Sequence, residues 1–224
     1  KDQKKIVGGK NGFGFKLVLI YSKWGKIETV DHIRGKKYTQ EFTDNLSLLK
    51  KPTIRKAAKS KPYTKVEFLP DYERFGIDNL TDDMFNLFKK RVYDIAAVTG
   101  KNVKVKFNSD IVPVKSFEQY VNMYIGEKSE TKRIFEKVND RWEVGVSLTP
   151  HDEFTHVSFV NGVYTSKGGK HVEYILNQIV KKISEWIKKK KKIVVKPMTI
   201  KEQLMLFINC SIENPSFDSQ TKEY

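Results

Sequence analysis

The spacing of apolar residues predicts a chain that mixes helices and strands, in two layers for each half. Apolar residues recur every three or four positions in a helix, and at every second position in a strand with one buried face. Helical spacing predicts three helices, at 81–100, 117–125 and 171–190. The first has a suitable N-cap in Thr81 and ends at Gly100. Its apolar face is predicted to consist of Met84, Phe88, Val92 and Ile95.

Alternating polar and apolar residues predict the strands. Segments 27–30 and 37–42 are spaced as the two arms of a hairpin. The lysine-rich segment 46–63 has no clean period and is predicted to be a loop. Trp142–Leu148 and Thr155–Val160 alternate like a half-buried antiparallel pair. Further strands are predicted at 64–69, 103–107, 111–114 and 204–212.

Glycines near the start of the sequence indicate a loop that can approach an anion. The run Gly8-Gly9-Lys10-Asn11-Gly12-Phe13-Gly14 precedes segment 15–24, which has the apolar character of a buried helix. Free backbone N–H groups and the helix dipole favour a phosphate at such a place, although a turn without a ligand explains the glycines equally well. The pattern lacks the ending of a P-loop and the preceding strand of a Rossmann motif. Because the loop precedes any supporting element, we interpret the sequence as part of a longer protein.

Charge and composition restrict the function further. The 224 residues carry 42 Lys and Arg against 27 Asp and Glu, a formal net charge of +15. This excess favours polyanions such as nucleic acid, nucleotides or acidic membrane surfaces, or else only maintains solubility. The single cysteine, Cys210, excludes an intrachain disulfide and argues against zinc. No apolar stretch reaches the roughly 20 residues that span a bilayer, so we expect a soluble protein without membrane contact.

A basic run ends the third predicted helix. Lys188, Lys189 and Lys190 belong to five consecutive lysines, a pattern that is usually a solvated face but can neutralise DNA phosphates. The glycine-containing loop 164–170 precedes the same helix and either binds an anion or only caps the helix. The four histidines show no spacing typical of a metal site or a catalytic triad.

Five stretches, in the same order, resemble eukaryotic-type DNA topoisomerase II, a type IIA DNA topoisomerase, and together cover nearly the whole chain. They are IVGGKNGFGFKL (6–17), KRVYDIAA (90–97), NDRWEV (139–144), VSFVN with TSKGGKHV (157–172), and FINC with IENPSFDSQTKE (207–223). The sequence departs from the family at Lys10, where Arg is usual, at Phe13, where Tyr is usual, and at Phe15, where Ala is usual.

The resemblance implies an α+β fold in two domains. Residues 1–80 would be the C-terminal part of a GHKL-type ATPase α/β sandwich, and residues 81–224 a ribosomal-protein-S5-like transducer domain. ATP is the implied cofactor, and Lys222 is the implied catalytic contact to the γ-phosphate. The other implied ATP-binding residues are Gly9, Lys10, Asn11, Gly12, Phe13, Gly14, Phe15 and Lys16 in the lid, with Gln220 and Thr221 beside Lys222.

The resemblance also implies partners and missing parts. Double-stranded DNA, contacted by Lys188, Lys189 and Lys190, and a second copy of the intact enzyme are the expected partners. The family's catalytic Glu, its magnesium-binding Asn and its adenine pocket would lie upstream of Lys1, and its DNA-cleaving Tyr downstream of Tyr224. No metal ligand is therefore expected here, and this chain alone should neither hydrolyse ATP nor cut DNA. Localisation would be the nucleus for a eukaryotic source, or the host cell or virion for a large virus.

Two alternatives remain open from the residues. One is another GHKL ATPase, such as gyrase B or a mismatch-repair ATPase, against which the KNGFG lid and the IENPSFDSQTKE stretch argue. The other is a non-enzymatic basic nucleic-acid-binding module whose glycine loop is only structural.

Overall fold

The structure is a computed structural model that describes residues 4–9, 11–58 and 60–224. It divides into two compact units, which are described separately. The smaller unit is Gly9–Phe85, and the larger unit combines Lys1–Gly8 with Asn86–Tyr224. The first described residues therefore belong to the same unit as the C-terminal two thirds of the chain.

A five-stranded antiparallel sheet forms the smaller unit. Strand β1 lies between β2 and β5, and the short strands β3 and β4 both pair with β2. The predicted hairpin, now β1 and β2, and the predicted strand at 64–69, now β5, are confirmed. The elements are α1 (Phe13–Ile20), β1 (Ser22–Asp31), β2 (Lys36–Thr43), β3 (Leu48–Leu49), β4 (Thr53–Lys56), β5 (Tyr63–Pro70) and a 3-10 turn (Glu73–Phe75).

Two predictions for this unit are wrong. The predicted buried helix at 15–24 is the shorter α1, in which only Leu19 is buried, because Ser22 and the residues after it join β1. The predicted loop at 46–63 contains β3 and β4, whose residues are all exposed. An edge strand with both faces in solvent has no reason to alternate in polarity, so the pattern could not reveal it.

The larger unit is built on a second five-stranded sheet, in the order β11-β10-β12-β9-β8. Strands β10 and β12 are parallel, and all other neighbours are antiparallel. The elements are α2 (Asp82–Val98), β6 (Lys106–Phe107), β7 (Asp110–Ile111), α3 (Phe117–Ile125), β8 (Arg133–Asn139), β9 (Trp142–Leu148), β10 (Thr155–Val160), β11 (Val163–Tyr164), α4 (Lys170–Lys191), α5 (Pro197–Lys201) and β12 (Leu204–Cys210).

Both faces of this second sheet are covered. Along β12, Phe207 packs with buried residues of α2 and α3, whereas Leu206 and Ile208 pack with buried residues of α4 and α5. Alternate side chains of a strand point to opposite faces, so β12 contributes to a core on each side. The larger unit consequently has three layers, and the prediction of two layers is wrong for it.

Two further predictions for the larger unit are corrected. The predicted apolar face of α2 is wrong, because Phe88 and Ile95 are exposed and the buried residues are Asp94, Ala96 and Ala97. Asp94 can be buried because its carboxylate accepts hydrogen bonds from Lys90 and from Tyr120. Strands β9 and β10 do not pair with each other, since β12 lies between them.

Candidate nucleotide and DNA site

The predicted lid lies at the N-terminal end of α1, in the smaller unit. Gly12 is the N-cap, with a left-handed backbone (φ 67°) that glycine adopts without steric cost, and no side chain caps the helix. Asn11 and the helix residues from Phe13 to Lys16 are exposed, while Lys10 lies outside the described residues. Because the first N–H groups of a helix have no intrahelical partner, this uncapped end can accept an anion from solvent.

The predicted phosphate sensor, residues 220–222, lies in the C-terminal segment of the larger unit. Gln220 and Thr221 are exposed, whereas Lys222 is half-buried with a left-handed backbone, φ 58°. The ammonium of Lys222 donates a hydrogen bond of 2.6 Å to the carbonyl of Gly8 and lies 5.8 Å from the centre of the Phe217 ring. Within the larger unit, Lys222 therefore binds the residue that directly precedes Gly9 of the lid.

The first described residues are held by the C-terminal segment through a set of hydrogen bonds that we call the Asn161 clamp. The side chain of Asn161 accepts from the N–H of Ile212 (2.7 Å) and donates to the carbonyl of Ile212 (2.8 Å) and, more weakly, to that of Val7 (3.4 Å). The N–H of Asn214 donates to the carbonyl of Lys5 at 2.9 Å. Segment 4–8 is thereby fixed against segment 211–214 of the same unit.

Close packing and charge reinforce the Asn161 clamp. A Cβ at Gly8 would lie 2.5 Å from Cγ2 of Val163, so any larger residue at this position would have to displace Val163 or the backbone. The carboxylate of Glu213 pairs with Arg141 (2.8 Å) and Lys4 (3.1 Å), and hydrogen bonds from these two side chains lower its pKa. Glu213 therefore stays ionised and links the two segments at neutral pH.

The glycine-containing loop before α4 contacts the residue that follows Lys222. The backbone N–H of Lys167 donates to the carbonyl of Glu223 (2.9 Å), and the two side chains form an ion pair of 2.6 Å. These bonds connect the start of α4 with the predicted phosphate sensor.

Two neutral histidines, His156 and His171, contact this loop. Burial and the neighbouring His156 lower the pKa of His171 to about 4, and burial also lowers the pKa of His156. His171 lies within hydrogen-bond distance of the buried Thr165 hydroxyl (3.1 Å). Gly168, at φ 84°, approaches His156 so closely that a Cβ would lie 2.9 Å from its Nε2. The imidazoles therefore act as uncharged packing groups that fix the course of the loop.

The predicted DNA contacts lie at the opposite end of α4. Helix α4 follows β11 and precedes α5 and β12 in the chain. Its N-terminal end lies near His156 of β10, which Gly168 approaches closely. With 22 residues, the helix is about 33 Å long. Its last turn carries the exposed Lys188, Lys189 and Lys190.

Several of these contacts were not predicted from the sequence. Asn161, Lys167 and Glu223 lie in stretches that carry the family resemblance, but nothing in their spacing indicates the contacts that they make. The Asn-Gly dipeptide at 161–162 signals only a turn, which the structure shows between β10 and β11.

Residues 4–9, 11–58 and 60–224 contain neither a metal-ligand cluster nor a membrane-spanning helix. Within these ranges no three His, Cys, Asp or Glu side chains are grouped so that they could hold a metal ion. Within the same ranges no helix combines the length and apolar character needed to cross a bilayer.

The chain is similar to curated proteins over its whole length. It is 46% identical over 228 residues to "DNA topoisomerase 2" of Acanthamoeba polyphaga mimivirus, which covers 100% of this chain and 18% of the relative. It is 48% identical over 227 residues to the protein of the same name from Arabidopsis thaliana, covering 98% of this chain and 15% of the relative. The chain thus spans less than a fifth of these relatives. The family model described as DNA gyrase B matches residues 116–224.

Solved structures share the fold. The ATPase region of Saccharomyces cerevisiae topoisomerase II is 42% identical, with a TM-score of 0.90. The ATPase and transducer domains of DNA topoisomerase II from Balamuthia mandrillaris are 40% identical, with a TM-score of 0.91. In both cases the match covers 99% of this chain and 57% of the solved chain.

Proposed function

We propose that this chain, which belongs to the DNA topoisomerase II family, is the lid-and-transducer part of an ATP-dependent type IIA DNA topoisomerase. Residues 1–80 would complete the GHKL-type ATP-binding domain, and residues 81–224 would form the transducer. The chain would couple ATP binding and hydrolysis to closure of a DNA gate and passage of a duplex. The observation that carries the proposal is the bond between the ammonium of Lys222 and the carbonyl of Gly8.

That bond supports a role for Lys222 in distinguishing nucleotide states. An ammonium is attracted to an anionic phosphate oxygen by a full opposite charge, whereas a neutral carbonyl offers it only a dipole. Lys222 would therefore exchange the Gly8 carbonyl for a γ-phosphate oxygen, and this exchange would require a triphosphate rather than a diphosphate. A contact made in one nucleotide state only is what shifts a conformational equilibrium.

The lid would supply the other phosphate contacts. The uncapped N–H groups at the start of α1 and the charge of Lys16 provide the donors and positive charge that a phosphoryl-transfer transition state needs. Gly9, Gly12 and Gly14 have open space where a side chain would begin, so a ligand can approach their backbone closely. The exposed Phe13 and Phe15 would border the phosphates where the family usually has Tyr and Ala.

Helix α4 would carry the nucleotide signal towards DNA. Any displacement of Lys222 acts on the neighbouring Glu223, whose bonds to Lys167 lead to the N-terminal end of α4. The basic residues Lys188, Lys189 and Lys190 at the other end would contact DNA phosphates. A single helix in the larger unit would thus link the two predicted binding sites.

Cofactors and partners of the whole enzyme complete the proposal. Mg²⁺ would accompany ATP in phosphoryl transfer, and the family resemblance implies that its ligand lies upstream of Lys1. The enzyme would act as a homodimer on double-stranded DNA. It would work in the nucleus of a eukaryote, or in the host cell or virion if the source is a virus.

Another GHKL ATPase is the second candidate, since the gyrase B model matches residues 116–224. It is less favoured, because the relatives from mimivirus and Arabidopsis thaliana, which match nearly the whole chain, are both named DNA topoisomerase 2.

Replacing Lys222 tests the proposal. In the full-length protein, Lys222→Ala should impair ATP turnover and ATP-driven gate closure while leaving DNA binding without nucleotide nearly intact, because only the phosphate contact is lost. Lys222→Arg keeps the charge and should retain part of the activity. The matched control is Lys104→Ala, which removes an exposed lysine far along the chain from both predicted sites.

Unchanged ATP-driven strand passage in Lys222→Ala would overturn the assignment. The non-enzymatic alternative predicts a different pattern, namely salt-sensitive DNA binding without any dimerisation driven by an ATP analogue.

A further inference from the structure

The C-terminal end of α4 carries an exposed tryptophan. Trp186 is 55% exposed, whereas Trp24 and Trp142 are half-buried. An indole is a large apolar group with one polar atom, and such groups are enriched at binding surfaces. The large exposed area of Trp186 leaves its indole available for contact with a binding partner.

Lysines surround Trp186 on the solvent side of the helix. Residues three or four positions apart lie on the same side of an α-helix. Lys182 and Lys190 lie four positions from Trp186 in the two directions, and Lys189 lies three positions after it. Ile183 and Ile187 lie along one flank of Trp186, where they pack against the core. Trp186 thus lies at the border between the basic face and the apolar face of the helix.

The charge around Trp186 identifies the kind of partner. Between positions 181 and 196 the only carboxylate is Glu185, which is exposed beside Trp186. A second copy of this surface would be repelled by like charge. A polyanion that also offers flat apolar groups is attracted, and nucleic acid has both. The eight lysines of this segment are Lys181, Lys182, Lys188, Lys189, Lys190, Lys191, Lys192 and Lys196.

We propose that Trp186 is a DNA-contacting residue, whose indole packs on the sugars or bases of a duplex while the neighbouring lysines hold its phosphates. The proposal rests on the DNA contacts assigned above to Lys188, Lys189 and Lys190 and adds an apolar contact to them. Apolar side chains in DNA-binding proteins insert at base steps in this manner. The basic surface then holds DNA by two physically different interactions.

Salt dependence separates these two interactions. Lysine–phosphate contacts release counterions, so each adds about 0.9 to the slope of log K against log salt concentration. Contact of an indole with sugars or bases releases no counterions. Loss of Trp186 should therefore weaken binding equally at every salt concentration, whereas loss of lysines should reduce the slope.

The test measures binding of a labelled DNA duplex to the full-length protein by fluorescence anisotropy across a salt series. Trp186→Ala should weaken binding about fivefold or more with an unchanged slope, and Trp186→Phe should retain most of the affinity. Replacing Lys188, Lys189 and Lys190 together by Ala should reduce the slope by about 2.7. DNA should also quench the part of the tryptophan fluorescence that Trp186→Phe removes.

Tyr174→Ala is the matched control, because Tyr174 is an exposed aromatic residue of the same helix, outside the basic segment. It should change DNA affinity less than about twofold, as expected of a surface substitution away from the contact. Unchanged affinity in Trp186→Ala would overturn the proposal. So would a changed salt slope, or a loss that appears only in self-association or in binding to anionic phospholipid vesicles. If the triple lysine variant keeps its slope while Trp186→Ala weakens binding, the lysine assignment fails and the Trp186 contact stands.

Discussion

The Asn161 clamp makes a quantitative prediction, because one side chain combines two short hydrogen bonds with a left-handed backbone. Asn161→Ala removes both bonds to Ile212, each contributing about 1 kcal/mol net. The backbone of residue 161 has φ 51°, a conformation that asparagine tolerates and that adds about 1–2 kcal/mol for alanine. The free energy of unfolding of the larger unit should therefore fall by about 3–4 kcal/mol.

A second variant separates these contributions. Asn161→Gly loses the same hydrogen bonds but adopts the left-handed backbone freely, so it should lose only about 2 kcal/mol. The two variants share the same missing bonds, and the difference between them measures the backbone contribution alone.

Denaturant unfolding followed by tryptophan fluorescence, together with hydrogen exchange at the amides of Ile212 and Asn214, measures the effect. Asn102→Ala, at an exposed position, is the control and should change stability by less than about 0.5 kcal/mol. Equal losses for Ala and Gly at 161 would refute the backbone contribution. Losses below about 0.5 kcal/mol for both would refute the clamp itself.

Two further predictions concern the loop before α4. Gly168→Ala should destabilise the larger unit by about 1–3 kcal/mol in thermal or denaturant unfolding, because residue 168 has a left-handed backbone and the added Cβ would press on His156. The control is Gly100→Ala, which has open space around the added Cβ and should be neutral or slightly stabilising. The pKa of His171 is lowered from its ordinary value of 6.5 to about 4 in the folded chain. Between pH 6.5 and pH 4 this side chain therefore binds a proton in the unfolded chain but not in the folded chain. Stability should therefore fall as the pH is lowered from 6.5 towards 4, with His156 acting in the same direction, and the fall should be smaller in His171→Gln; an equally steep fall in that variant would contradict the assignment.

Local signals predicted the elements that depend on local chemistry. Thr81 accepts a hydrogen bond from the N–H of Met84 as an N-cap does, and the helix at 117–125 was predicted with its observed bounds. The cap of this helix, Ser116, likewise accepts from the N–H of Gln119. These features need only neighbours within one helical turn, so the sequence alone specifies them.

Pairings between distant segments could not be predicted in the same way. The alternation of β9 and β10 shows that each has a buried face, but not that β12 separates them. The charge of Asp94 favours exposure, and only the partners Lys90 and Tyr120, the latter 26 residues away, allow this carboxylate to be buried. A hydrophobic pattern describes a residue's environment and leaves its partner unspecified.

The candidate site shows the same division. Family resemblance indicated Lys222 and the lid residues, whereas the bond from Lys222 to Gly8 joins positions 214 residues apart. Patterns of residue spacing describe neighbours within one helix or strand, so they cannot predict a contact over this separation. The assigned roles in ATP and DNA binding remain predictions, and the experiments above address them.

The strand order of the larger unit has a consequence for its biosynthesis. Strand β12 lies in the centre of the sheet, yet it follows the other four strands in the chain. As the chain emerges from the ribosome, the hairpin of β8 with β9 and the hairpin of β10 with β11 each wait with one unpaired edge and uncovered apolar faces. Such edges are sites of misassociation. Until residue 210 has been released these edges and faces stay open to misassociation, and a ribosome that stalls before this point leaves a sheet without its central strand.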